Sequence, residues 1–278
     1  MRLSEQQVTC FHTFGFLKFP GLLADQIGQI DAAFEGVWAD HGGGHDRKPH
    51  DGTARSCLVP FIDQSERLCQ LLDDDRILSI ARSLLGDDFN YCSSDGNYYV
   101  GDTQWHSDGW RPPDGYLYVK IAIYLDPLTR DTGCLRVIPG SHRPGDWFSD
   151  TLHARLRGAA QTLGLHGRDV PAVPLETTPG DLLLFNHNTK HAAFGGNDHR
   201  RMFTINLSQR YRDEDVPLLK EQIGTRARFW LERAYGEKMV RTAGPERMRH
   251  LEQIMANDGH LAELTRQAKQ TMAEPARG

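Results

Sequence analysis

No apolar run in this 278-residue chain approaches the ~18 residues that a membrane span needs. The opening Met1-Arg2-Leu3-Ser4-Glu5-Gln6-Gln7 has no stretch of the signal-peptide kind, so a cytoplasmic location is expected. Basic blocks are missing as well. The 32 lysines and arginines are scattered in pairs such as Arg200-Arg201 and are outnumbered by 37 acidic residues, for a net charge of -5. That balance speaks against a nucleic-acid or anionic-lipid surface. Cysteine is sparse: Cys10, Cys57, Cys69, Cys92 and Cys134 are widely spaced and form no C-x-x-C pair. Neither a disulfide framework nor a zinc site is expected, and the five read as small buried or half-exposed thiols. Internal repeats and low-complexity linkers are also absent. What is present, 39% hydrophobic and 25% charged residues, is ordinary globular composition, and we expect one domain over residues 1–278.

The texture changes twice along the chain. Ser4 with Gln7, ahead of Val8, Phe11 and Phe14, has the form of a capping box opening a helix that Gly15 ends. Phe16 to Pro20 reads as a short strand and Leu23 to Trp38 as a second helix. Residues 40–54, with His41, His45 and His50 among glycines and charges, read as a solvated or substrate-facing loop rather than a metal site. Glu66 to Leu85 has helical spacing broken by Asp73-Asp74-Asp75, which predicts two packed helices.

Beyond Gly86 come short β-type runs: 89–92, 97–100, 104–108, 117–125, 134–138, 172–175, 181–185, 190–194 and 202–209. Such runs between turn signals predict a sandwich or barrel. From Asp213 the pattern is helical again. These C-terminal helices could cover the core, build a homodimer contact, or both.

His106 and Asp108 lie two apart in Gln104-Trp105-His106-Ser107-Asp108-Gly109. On an extended segment both side chains enter the same space and could grip one metal ion. An H-x-D triplet alone also fits a surface strand with polar residues. A distant second histidine, for which His191 is a candidate, would complete the two-histidine, one-carboxylate set that leaves positions open on non-heme iron(II).

Context supplies the weight. After the triplet come Ile121-Ala122-Ile123-Tyr124-Leu125-Asp126, then Gly133-Cys134-Leu135-Arg136-Val137-Ile138-Pro139-Gly140-Ser141-His142, then Pro179-Gly180-Asp181-Leu182-Leu183-Leu184-Phe185, His191, Asn197 and Arg200. This ordered series, with the opening Leu3 to Leu23, resembles the phytanoyl-CoA dioxygenase family of iron(II)- and 2-oxoglutarate-dependent oxygenases. The resemblance covers residues 3–211. It implies a mainly β fold with flanking helices: a double-stranded β-helix (jelly-roll, cupin-like) core over residues 87–211, a helical N-terminal support and a helical extension over residues 213–275.

The resemblance also implies roles. Iron would be held by His106, Asp108 and His191; His187 is the competing distal ligand, and His142 of the Pro-Gly-Ser-His turn reads as structural. The family sets a carboxylate-binding arginine roughly ten residues after the distal histidine, which brings both Arg200 and Arg201 into range. The phasing Arg200-Arg201-Met202-Phe203-Thr204 favours Arg200, with Thr204 on its face, and Arg201 stays as the alternative. Asn97 is a further candidate for 2-oxoglutarate. Lys120 is another, since an ammonium facing the cavity needs an anionic partner. Trp105 and Trp110 could wall the pocket, and Trp110, Arg111 and Arg55 are candidate substrate contacts.

The implied activity is oxidation, by hydroxylation of an unactivated C–H bond, of a small or medium metabolite, using iron(II), 2-oxoglutarate and dioxygen and releasing succinate and carbon dioxide. Because related halogenases lack the carboxylate, Asp108 favours oxidation over halogenation. Desaturation, cyclisation or epimerisation with the same cofactors is the alternative within the fold, and a non-catalytic cupin-like metal sensor the alternative outside it.

Overall fold

The computed structural model of the chain describes residues 2–109 and 115–278. Its strands are β1 (Phe16–Phe19), β2 (Ser56–Leu58), β3 (Phe89–Ser93), β4 (Gly96–Tyr99), β5 (Thr103–His106), β6 (Tyr118–Tyr124), β7 (Leu135–Val137), β8 (Val173–Leu175), β9 (Leu182–Asn186), β10 (His191–Ala193) and β11 (Arg200–Gln209). Every β-type run expected after Gly86 is a strand. The run 104–108 stops at His106, however, so Asp108 sits just beyond the strand end. β2 was not expected, being only three residues between a Gly- and Asp-rich loop and Val59-Pro60. Nor were the helices Trp147–Leu156 and Ala159–Leu163 in the connection from β7 to β8.

All pairings among the described strands are antiparallel. One sheet runs β1-β9-β6-β11-β4-β2, with β3 also paired to β11, and the other runs β5-β10-β7-β8. This is the cupin-like jelly roll with flanking helices. Helix outweighs strand, 41% to 19%, yet the strands form the centre. The sheet also draws on β1 and β2, so its core is wider than residues 87–211.

The two central strands sort their side chains by parity. β11 pairs with β6 in the register Met202 to Tyr124, Thr204 to Ala122 and Asn206 to Lys120, and these residues face the space between the sheets. Ile121, Ile123, Phe203, Ile205 and Leu207 face the other way and are buried with the helices' apolar residues. At ~25 cal/mol per Å² of apolar surface, that outer layer is the main source of cohesion.

The N-terminal support forms as its sequence dictates. The Ser4 side chain accepts from the Gln7 amide while the Gln7 side chain accepts from the Ser4 amide, and Gly15 closes the helix Glu5–Phe14 in the left-handed region at φ 87°. The second helix starts later than expected, at Ile27, and runs to Asp40. The preceding turn is held by Asp181, which accepts from the Gly21 amide. In the loop after it, His45 is not solvated. It is buried, with its ring nitrogens 2.9 Å from the carbonyl oxygens of Cys57 and Pro275.

The C-terminal extension covers the core. His250 stacks on Phe89 at a ring separation of 3.7 Å, Tyr235 donates to the Tyr91 carbonyl, and Gln253 bonds Asn90 and Tyr211. The exposed large apolar side chains among the described residues, such as Trp147 and Phe148, lie elsewhere. Asp63 joins three parts: its carboxylate accepts from the Tyr91 hydroxyl at 2.7 Å and from the Gly236 amide at 2.9 Å.

Burial pushes the Asp63 carboxyl up to about 6, against the pull of those hydrogen bonds. Between about pH 4 and pH 6 the folded state therefore holds a proton that the unfolded state has released, and Asp63 subtracts stability as pH rises through that window. In urea denaturation, Asp63→Asn should gain on the native chain by about 3 kcal/mol between pH 4 and pH 7. A stability difference that stays constant over this range would contradict the assignment.

Candidate metal centre

Antiparallel pairing sets His191 of β10 directly opposite His106 of β5. Asp108, two residues past His106, folds back to the same point. His106 Nε2 lies 3.8 Å and His191 Nε2 3.5 Å from the Asp108 carboxylate, and the two imidazole centroids are 4.2 Å apart. One donor atom from each of the three lies within 4.8 Å of the others, the one such metal-sized cluster of His, Cys, Asp or Glu among the described residues.

The backbone aims both rings. His106 Nδ1 is 2.7 Å from the Gln104 carbonyl and His191 Nδ1 is 2.9 Å from the Thr189 carbonyl. A carbonyl only accepts, so each Nδ1 carries the proton and each Nε2 presents its lone pair to the cluster. Burial, followed by the charge on His106, holds His191 down to about 3, whereas Asp108 pulls the other way. Burial alone would raise the Asp108 carboxyl. The Lys120 ammonium at 2.8 Å, together with the surrounding histidines, outweighs it and keeps the group well below the usual carboxylate range. His191 is therefore a neutral imidazole and Asp108 a carboxylate at neutral pH, the ionisation a divalent cation requires of them.

The cluster stands where two cavities meet. The narrower inner one runs between the sheets, past Tyr124 and Thr204, to Arg200. Arg200 is 2% exposed, its Nε and Nη1 lack hydrogen-bond partners, and its guanidinium lies over the Tyr99 ring at 5.1 Å. Room for it is made by Gly133 and Gly196, where a Cβ would come within 2.1 and 2.2 Å of Nη1. A buried guanidinium in a fitted cradle with no described anion beside it suits a ligand carboxylate. Arg201, one residue on, turns outward to Asp31, Glu35 and Asp126.

The other expected residues divide. Lys120 reaches the cavity, and the anion it needs is supplied by Asp108 with help from Asp95. Thr204 lines the inner cavity, its hydroxyl donating to Asp95. Arg55 lines the outer cavity, paired with Asp95 at 3.4 Å and bonded to Asn97. Asn97 is not among the residues lining either cavity. Its amide is spent on Arg55 and Asp95, which makes it a brace. Trp105 faces away from the cluster and donates to the Gly167 carbonyl. His142 packs at the Gly15 turn, and His187 lines the outer cavity, held down to about 4 by burial and by Lys120. Trp110 and Arg111 lie outside the described residues.

Sequence reading missed Asp95, Asn206, Gln222 and Arg228, all on the outer cavity wall. Asp95 stands in Ser-Asp-Gly, which reads only as a turn, and the last two are brought in from the extension.

A family model described as phytanoyl-CoA dioxygenase matches residues 11–202. The ectoine dioxygenase of Stutzerimonas stutzeri is 30% identical over 222 residues, 69% of this chain and 72% of that protein. The ectoine dioxygenase of Sphingopyxis alaskensis is 27% identical over 69% of this chain and 71% of its own length. Among solved structures, EctD from S. alaskensis with bound Fe superposes with a TM-score of 0.57 at 25% identity, covering 74% of this chain and 77% of that one. The carbocyclase SnoK from nogalamycin biosynthesis, at 21% identity and a TM-score of 0.57 over 78% of this chain and 90% of that one, shares the fold.

Replacing the buried guanidinium by an apolar side chain removes a desolvation cost that the Tyr99 ring offsets only in part. Arg200→Met should raise the unfolding free energy of the ligand-free chain by roughly 1–3 kcal/mol. Chemical denaturation without added ligands measures this; a destabilised variant would show that the guanidinium is already satisfied.

Proposed function

The chain belongs to the phytanoyl-CoA dioxygenase family, and from that premise we propose that it hydroxylates an unactivated C–H bond of a small or medium metabolite. His106, Asp108 and His191 hold iron(II), and Arg200 receives the distal carboxylate of 2-oxoglutarate. The enzyme is a 2-oxoglutarate-dependent non-heme iron dioxygenase. The observation that carries the residue assignment is the junction itself: one metal-sized donor set between a narrow cavity that reaches the buried Arg200 guanidinium and a larger cavity with room for a second molecule.

Iron and 2-oxoglutarate, when bound, supply the oxidising chemistry, in which dioxygen and 2-oxoglutarate are converted to succinate and carbon dioxide while the substrate carbon gains a hydroxyl. The chain's own part is placement. The Gln104 and Thr189 carbonyls fix both imidazoles, Lys120 keeps Asp108 ionised, and Arg200 sets the depth of the co-substrate. Phe185, Leu135 and Met202 line the inner cavity with apolar surface that keeps water out. The presence of Asp108 supports hydroxylation over halogenation.

Anaerobic addition of iron(II) and 2-oxoglutarate should produce a weak visible metal-to-ligand band. It should vanish in His191→Ala and persist in His187→Ala. Arg200→Met should weaken 2-oxoglutarate binding by at least ~30-fold, the cost of losing one partner of a buried charge pair, whereas Arg201→Gln should stay near native affinity. The absence of any band in the native protein would refute the cofactor assignment, and its survival in His191→Ala the ligand set. Succinate release over a panel of acyl-thioesters, amino acids, phosphonates and compatible solutes, ectoine included, then tests the substrate.

A further inference from the structure

The outer cavity, about 320 Å³, sits at the small end of ligand pockets and has room for a compact metabolite. Its wall is polar. Ser93, Asp95, His187 and Asn206 line it near Lys120, with the His187 and Asn206 side chains in contact with each other. Such a surface penalises a long apolar chain, which would dehydrate the charged groups of the wall.

Its charges are unequally satisfied. Lys120 has Asp108 and Asp95, and Arg55 has Asp95 and Asn97. Arg228 also lines the cavity, at its solvent-exposed edge, with its guanidinium laid over the Phe229 ring at 4.6 Å and no ion pair among the described residues. With the divalent ion and dianionic co-substrate in place, the charges of Asp108, Arg200, Lys120, Asp95 and Arg55 leave one positive charge, which the Gly278 carboxylate on the same wall offsets, so that Arg228 is the unbalanced cation. Gln222 and Phe229 stand beside it on the wall, and all three lie beyond residue 202, where the family match ends.

Building on the cofactor assignment above, we propose that the outer cavity takes a compact polar substrate bearing an oxyanion, and that Arg228 of the C-terminal extension receives that group. The planar fork of the guanidinium suits a carboxylate or a phosphonate. Stacking on Phe229 orients it in advance. The extension then acts as the specificity element: the jelly roll holds the cofactors, and the added helices choose what is presented to them.

The test uses the full chain loaded with nickel(II) and 2-oxoglutarate, so that binding is read without turnover. Probes come in matched sets built on glycine, alanine and proline: the amino acid, its aminophosphonate analogue and its carboxamide. The readout is the thermal unfolding midpoint as a function of probe concentration. At least one charged member should raise the midpoint where its carboxamide does not, and comparison of carboxylate with phosphonate identifies the oxyanion. Arg228→Gln should weaken the charged member about tenfold, Arg228→Lys should recover part of that loss, and neither should alter the shift produced by 2-oxoglutarate alone. If no charged probe outperforms its carboxamide, or if Arg228→Gln binds as tightly as the native chain, the proposal is overturned. Loss of the 2-oxoglutarate shift in Arg228→Gln would assign this arginine to the co-substrate and overturn it equally. The cofactor assignment is judged separately, by whether the native chain responds to nickel and 2-oxoglutarate before any probe is added.

Discussion

A slip of one residue between β10 and β5 would turn His191 to the outer face of its sheet and leave His106 and Asp108 as an isolated pair. The antiparallel register that sets the two histidines opposite each other is therefore the constraint on which the site depends. It is itself held from both sides. β10 also pairs with β7, and the backbone next to His191 is tied to the Pro-Gly-Ser-His turn, where Ser141 accepts from the Lys190 amide and Ile138 donates to the Lys190 carbonyl. The motif that looked structural in the sequence acts on the site through this register.

The second requirement is to keep charge in a buried space without paying to dehydrate it unpaired. The interior solves this by alternation: Asp108 beside Lys120, Asp95 between Lys120 and Arg55, Asn97 bracing Arg55. Each carboxylate is stabilised by a cation from another segment, Asp108 after β5 by Lys120 of β6 across the space between the sheets and Asp95 of the β3–β4 turn by Lys120 and Arg55, so the network depends on how the two sheets pack. Arg200 is the exception, and a lone buried guanidinium is expensive enough that its retention calls for a function. In the ligand-free chain that cost is met by the outer apolar layer, where the opposite faces of the same two strands are packed.

What could be read from the sequence was what parity and order encode. The strands after Gly86, the capping box at Ser4, and the opposite facing of Arg200 and Arg201 all follow from periods of two or from spacings within one element. Asp108 was read by strand alternation although the strand ends at His106; the turn brings the carboxylate back to the same side. Asn97 shows the limit. Its position on the strand was right, but its partner Arg55 comes from far away in sequence, and only the pairing of β2 with β4 reveals that the amide is already engaged. His45 was misread for the same reason, since its partners lie at Cys57 and near the far end of the chain.

The extension carries this division further. Its helices lack a motif because nothing about holding iron or 2-oxoglutarate requires them, and the residues they contribute are set by docking against β3 rather than by local pattern. An element free of the cofactors' geometric demands can change without disturbing them, whereas any change within β5, β10 or β11 moves a proposed ligand. Substrate choice is thus most economically placed where this chain places Gln222, Arg228 and Phe229: on a wall that faces the metal cluster but belongs to another layer of the fold. The same docking explains why Asp63 is kept despite the cost of its burial. It fixes Tyr91 of the sheet and Gly236 of the extension to one carboxylate, and so helps to hold the specificity wall in place over the site.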